Sequence, residues 1–325
     1  MSTVSNLAEE IRHELESTHP NLRKTILKKL PLLVAVMLEA QTANTAELAA
    51  ILPLTTLRSD MRLQWISRLL SNPLLVSNKI VDPFARELFA EVSKNDPLIV
   101  LTMDQERLGD RFVILMVSLR IRDRIFPLVW RVETETGNLG FEWQRVILEQ
   151  MVAWLPEKAK VLLMVERIAV AEGLFHWILA RGWKYRIHLS NNFPTVVGNG
   201  EVTTLEELLK NVTAEAPVSN VRLFEGRVVT SIGKQLNAES GESQIIALDN
   251  LLTPAIDRGT ISYQGIDAVF AGFRSKGFSL KDTQLHYAIR IDHLVLVMSL
   301  AMYWCRKIEY RNRQCLSIQD KSVDA

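Results

Sequence analysis

The sequence predicts an α/β protein: a mixed sheet flanked by helices, preceded by a helical N-terminal domain and interrupted by a small β-rich insertion. Three observations carry that prediction. Apolar residues recur at helical spacing in the first part of the chain, three short runs rich in Val, Ile and Leu follow, and turn clusters then separate a series of β-prone pieces.

Taken in order, Leu7, Ile11 and Leu15 form the stripe of a first helix, and Ile26 to Leu38 is apolar enough to be buried all round. Asn44 and Glu47 have capping-box spacing ahead of Leu48, Ile51 and Leu52, and Pro53 ends that helix. Thr56 to Ser71 reads as the next helix. It sets Arg58 and Arg62 one turn apart with Trp65 and Arg68 beyond, a face that suits either a phosphate backbone or plain solvent. After Ser93 to Asp96 the pattern changes to strands at Leu98 to Met103, Phe112 to Leu119 and Arg124 to Val132. A helix from Phe141 to Leu155, a strand from Val161 to Val165, a helix from Val170 to Arg181 and a strand from Lys184 to Leu189 complete the series. Three strands followed by helix, strand, helix, strand is the order of a ribonuclease-H-like core.

The expected division is therefore a helical part at 1–95, a first core segment at 96–189, a β-rich insertion at 190–255, a second core segment at 256–304 and a basic tail at 305–325. In the second core segment Ile266, Val269, Phe270 and Phe273 make an apolar stripe with Asp267 and Arg274 beside it; Gly277 breaks that helix, and Arg290 to Trp304 forms another.

Composition bounds the function. With 325 residues, 48% hydrophobic and 23% charged, the chain is an ordinary globular protein with room for two or three structural units. Its net charge of +1 conceals an asymmetry: residues 195–255 hold eight acids and four bases, whereas 271–313 hold three acids and eight bases. Cys305 and Cys315 have neither CxxC spacing nor a neighbouring histidine pair, so no disulfide framework or zinc site is signalled. The apolar runs Leu30 to Leu38 and Leu294 to Trp304 fall short of the roughly 20 residues that span a bilayer, and the polar start is unlike a signal peptide. A cytoplasmic protein with no membrane partner is the expectation.

No GxSxG elbow, P-loop or GxGxxG occurs. His188 and His293 sit in apolar segments and read as hydrogen-bonded core residues, and Trp143, Trp154, Trp177 and Trp183 read as packing residues. The acids offer more. Asp104 stands just past the first strand and Glu166 just past VLLMV, so adjacent parallel strands would deliver both to one end of the sheet, where Asp267 on a packed helix could join them. Converging carboxylates are what a two-metal phosphoryl-transfer site needs, because Mg²⁺ and Mn²⁺ demand oxygen ligands. The same acids also suit ordinary strand ends and helix surfaces.

Four blocks, LTMDQERLGDRFVILMVSL, FPLVWRVETETGNLGFEWQRVILEQMVAWLP, VLLMVERIAVAEGLFHWILARGWKYRIHL and IDAVFAGFRSKGFSLKDTQL, resemble in order and spacing the bacterial DDE transposases of the insertion-sequence-four group. The resemblance implies a ribonuclease-H-like core with a β-rich insertion between its last two acids, two Mg²⁺ or Mn²⁺ ions, and Asp104, Glu166 and Asp267 as catalytic metal ligands. Arg274, Lys276, Arg290, Arg58 and Arg62 become candidates for contact with double-stranded DNA, bound by a homodimer. The family pattern is altered here. Its second acid is Asp followed by Arg and Gly, against Glu166, Arg167 and Ile168; its Y-x-x-R-x-x-x-E-x-x-x-x-x-x-K signature reads Thr260, Tyr263, Asp267 and Arg274. Each carboxylate exchange moves the acid by about 1 Å, and misplacement of that size can cost about a hundredfold in rate. A working transposase, a catalytically silent relative that still binds DNA, and a nuclease of the same fold therefore stand side by side.

Overall fold

The structure is a computed structural model that describes residues 3–54, 58–95, 98–122, 124–134, 137, 139–166, 168–197, 200–210, 218–236, 243–249 and 285–323. It is a mixed α/β protein, and the chain divides into two compact units, one formed by 1–88 with 269–325 and the other by 89–268.

Among the described residues the first unit is all helical: α1 (Thr3–Thr18), α2 (Lys24–Ala40), α3 (Thr45–Ile51), α4 (Ser59–Leu70), α5 (Ser77–Asn95), which carries the chain into the second unit, and a last long helix at Ala288–Val323. In α1 the buried residues Val4, Ala8, Ile11 and Leu15 follow the helical period, while α2 is apolar all round from Leu30 to Leu38, most of it buried, and becomes the centre of the unit. The Asn44 side chain caps α3 by accepting from the Ala46 amide. The last helix, read in the sequence as part of the second core segment, packs against α2 and α4 and groups with the helical unit. It also continues through the residues read as a tail, where Arg311 pairs with Glu10 and Lys307 with Glu14. Its Ala288–Glu309 portion is long and apolar enough to cross a bilayer by length and composition, yet most of it is buried in the protein, as in a core helix.

Polar contacts fix how that helix docks. His293 is buried, and its Nδ1 lies 2.7 Å from the Leu70 carbonyl, which only accepts, so Nδ1 carries the proton. Ser77 donates to Asp292 at 2.6 Å. Further along, the Tyr303 hydroxyl donates to Glu87 Oε2 at 2.6 Å with Glu14 also beside it, while its ring packs on Phe84 and Trp304. Burial, reinforced by the Glu87 and Glu14 carboxylates, pushes the Tyr303 phenol well above its usual value. A raised value in the folded state means that this contribution to stability is complete below about pH 10, where a free phenol begins to ionise, and is lost as pH rises beyond it. Tyr303→Phe is expected to lower stability near neutrality by on the order of 2 kcal/mol and to flatten the alkaline loss, measured as urea-unfolding midpoints from about pH 8 to about pH 11.

In the second unit the described strands form one ten-stranded sheet. β1 (Leu98–Leu108), β2 (Phe112–Ile121) and β3 (Arg124–Glu133) are an antiparallel meander; α6 (Phe141–Val152) leads to β4 (Lys160–Glu166), and α7 (Glu172–Ala180) leads to β5 (Lys184–Leu189). β4 lies parallel to both β1 and β5, as strand–helix–strand crossovers require. Beyond β5 come β6 (Pro194–Val196), β7 (Val202–Thr204), the short α8 (Leu205–Leu208), β8 (Val218–Leu223), β9 (Val228–Leu236) and β10 (Ser243–Leu248). The order is β3-β2-β1-β4-β5-β10-β9-β8-β6-β7, so the strands of the β-rich insertion extend the sheet through the antiparallel β5–β10 pair.

β1 is longer than its apolar run predicts. The hairpin ladder to β2 continues from Val100 opposite Arg120 to Leu108 opposite Phe112 and carries the polar residues 104–107 into the strand. Helices α6 and α7 cover one face, as Arg131 stacking 3.8 Å over the Trp143 ring and Phe175 packing edge-on to Tyr185 show. Gly173, in the first turn of α7, sits against α6: a Cβ there would lie 2.7 Å from the Phe141 ring. Gly173→Ala should therefore destabilise by on the order of 1 kcal/mol, overpacking outweighing the better helix propensity of Ala, with the urea midpoint as readout.

Candidate active site

Parallel pairing of β1 with β4 sets Asp104 directly opposite Glu166. In-register residues on neighbouring parallel strands point to the same face and stand about 4.8 Å apart along the sheet. The strands meet where the chain, having laid β2 and β3 on one side of β1, returns to place β4 on the other; such a switch point is where open α/β sheets bind ligands. Sequence reasoning placed both acids just past their strands. Asp104 instead lies within β1, because the hairpin with β2 extends that strand, and Glu166 is the last residue of β4.

Both carboxylates are buried, at 2% and 6% exposure. Asp104 Oδ1 accepts the amide of Gln105 at 2.7 Å. Gln105 points to the opposite face, where its Oε1 accepts the Leu139 amide at 2.7 Å. The fully buried Gln144 then donates to the carbonyls of Leu139 and Ala169, so the loop after Glu166 is tied to the start of α6. The acid row thus lies opposite the helix-covered face, and its backbone is held from that side.

The row contains more than acids. Met116 on β2 and Trp130 on β3 stand in line with Asp104, and Trp130 Nε1 is buried with no hydrogen-bond partner among the described residues. On β5 the His188 Nδ1 lies 3.7 Å from Glu166 Oε2, and burial pushes its imidazole below the usual value. The buried Arg186 stands two residues back on the same face. His188 is therefore not the satisfied core histidine expected of it, whereas His293 is. The signal was present: in KYRIHL, Lys184, Arg186 and His188 alternate strictly with apolar residues.

Asp267, Arg274 and Lys276 lie outside the described residues. Arg58 is 79% exposed and pairs with Asp60. The Arg62 guanidinium donates to the carbonyls of Ala50 and Leu52 at the end of α3, which caps that helix. Arg290 donates to Ser71 Oγ at 2.7 Å and lies over the Tyr287 ring.

Two in-register carboxylates fit a hard divalent cation, whose ligands are oxygens and whose charge offsets their repulsion. Among the described residues no group of three or more His, Cys, Asp or Glu is arranged to hold a metal. Neither a protein-family model nor a curated protein matches the chain. If the pair holds a cation, millimolar Mn²⁺ should raise the thermal midpoint of the wild-type protein, a concentration of about 100 Kd contributing about 2.7 kcal/mol. Asp104→Asn and Glu166→Gln should each abolish that rise while leaving a cooperative melt.

Proposed function

We propose that the chain is a DNA-processing enzyme of the DDE transposase type, with a ribonuclease-H-like core that cleaves and transfers DNA strands in a cation-dependent reaction. The observation that carries this reading is the register of Asp104 with Glu166 across β1 and β4. The strand order β3-β2-β1-β4-β5, antiparallel on one side of β1 and parallel on the other, agrees with the core expected from the sequence.

The chemistry comes in two displacements at phosphorus: water frees a 3′ hydroxyl at an element end, and that hydroxyl then attacks a phosphodiester of the target, releasing a new 3′ hydroxyl there. Bound divalent cations supply charge neutralisation at the transferring phosphoryl group and activation of the attacking oxygen. The chain's own part is positioning. Asp104 is anchored in the middle of a doubly paired strand and held by the Gln105 amide, so its carboxylate is the rigid member of the pair. Glu166, at a strand end and one methylene longer than aspartate, is the adjustable member. Asp267 is the third ligand by the resemblance, and Arg274, Lys276 and Arg58 are the candidate contacts to the DNA backbone.

The altered acids give the second reading, a catalytically silent relative that keeps the fold and the DNA contacts. One assay separates the two: purified protein is incubated with supercoiled plasmid carrying the sequences that flank its gene, in Mg²⁺ or Mn²⁺. Nicked and linear products that vanish in Asp104→Asn are the expected result, with Mn²⁺ more effective because Mg²⁺ demands near-ideal octahedral geometry. Binding without cleavage in either metal establishes the silent relative instead.

A further inference from the structure

We infer that the edge joining α2 to α4 in the helical unit, built from Arg23, Lys24, Lys28, Lys29 and Arg68, is a docking surface for the phosphate backbone of duplex DNA. The inference rests on the reading of the chain as a DNA-processing enzyme and assigns that reading a binding surface within the helical unit. The sequence concentrates the charge: residues 23–29, RKTILKK, hold four bases, and no Asp or Glu stands between Glu16 and Glu39. Folding then sorts the segment by face. Ile26, Leu27 and Leu30 are buried, whereas Arg23, Lys24 and Lys28 are exposed. Lys24 and Lys28 are four residues apart, which sets them about 6 Å from each other along the helix axis. Lys29 sits at the border, half-buried, with its Nζ 5.6 Å from the centre of the Trp65 ring on α4. Arg68 is exposed one turn beyond Trp65 and carries the positive edge onto α4.

Lack of countercharge separates this edge from an ordinary solvated face. Elsewhere on the helices exposed bases find acids, as Arg12 does with Glu9 and Glu16, and Arg145 with Glu142. Among the described residues none of the five bases on the α2–α4 edge forms an ion pair with a carboxylate. α2 also begins without an acid in its first turn, so Lys24 adds its charge to the positive end of the helix dipole instead of offsetting it. The bases that the sequence offered for DNA in this unit are engaged within the protein: Arg58 with Asp60, Arg62 with two α3 carbonyls, Arg290 with Ser71. Duplex DNA carries one negative charge per about 1.7 Å of its axis, so it meets a row of unmatched bases with several phosphates at once and releases counterions as they are neutralised. Such contacts hold the backbone and carry no sequence information themselves.

The test titrates a fluorescein-labelled duplex of arbitrary sequence with the full chain, following anisotropy at salt concentrations from about 50 to about 200 mM. Wild type is compared with the triple variant Lys24→Gln/Lys28→Gln/Arg68→Gln and with Lys158→Gln/Lys160→Gln, which removes two exposed bases of the sheet unit. Each phosphate contact contributes about 0.9 to the slope of log affinity against log salt, so the triple variant should reduce that slope by about 2.7 and weaken binding more than about tenfold near 100 mM salt. The sheet-unit variant should keep the wild-type slope. A triple variant with the wild-type slope, while the wild type binds, overturns the inference and leaves the DNA reading standing. An equal fall per base removed in the two variants overturns it too, since net charge rather than this edge would then govern binding. A wild type that leaves the duplex unbound overturns the DNA reading and the inference together, and its sedimentation with phosphatidylserine vesicles would assign the edge to a lipid surface instead. Thermal melts report folding; if the triple variant melts without cooperativity, Lys28→Gln decides in its place, with a slope reduced by about 0.9 expected and an unchanged slope overturning the inference.

Discussion

The parallel ladder between β1 and β4 is the constraint on which the candidate site depends. Everything else in the second unit serves it: β2 stiffens β1 from one side, β5 supports β4 from the other, and the Gln105–Leu139–Gln144–Ala169 chain of hydrogen bonds ties the backbone around both acids. Side chains alternate with a period of two, so Asp104 and Gln105 face opposite sides of the sheet. A slip of one residue in β1 would exchange them, sending a carboxylate beneath α6 and an amide into the acid row. Register is therefore a chemical specification as well as a mechanical one. The continuous apolar character of β1 before Asp104 does little to set it, because both faces of that segment are largely buried. The polar clamp on the helix-covered side discriminates between the two alternatives.

Much of this was legible in the sequence where local pattern decides the outcome. Lys184 to Leu189 alternates cleanly and is a strand of those bounds; the spacing of Asn44 located the cap of α3; the order of apolar runs foretold the order of β1 to β5. What escaped was set by partners distant in sequence. Residues 104–107 look like a turn until β2 pairs with them. The strands between 194 and 248 read as an inserted patch because nothing local in Gln244 to Leu248 announces that β10 will pair with β5. The basic face with Arg62 suited either solvent or a phosphate backbone, and nothing local told of the two carbonyls in the preceding element that its guanidinium reaches. His188 was passed over because its apolar neighbours suggested a core, although the alternation around it pointed to a face.

The charged groups of the two units do different physical work. In the helical unit Tyr303, Glu87, Glu14 and Lys307 form a compact network that satisfies its own members and fixes a docking register. In the sheet unit, the register of two parallel strands brings two buried carboxyl groups to neighbouring positions on one face.

The last helix docks onto partners far back in the chain: His293 reaches Leu70 across 223 positions. The sheet unit, by contrast, is one continuous stretch. On a ribosome adding about 5–20 residues per second, the apolar surface of α2 therefore waits on the order of 10–40 s for its cover, while the sheet emerges and can close. The N-terminal unit is thus the first to be made and the last to be finished. During that interval Leu30, Leu33 and Met37, which end fully buried, are open to water or to a chaperone.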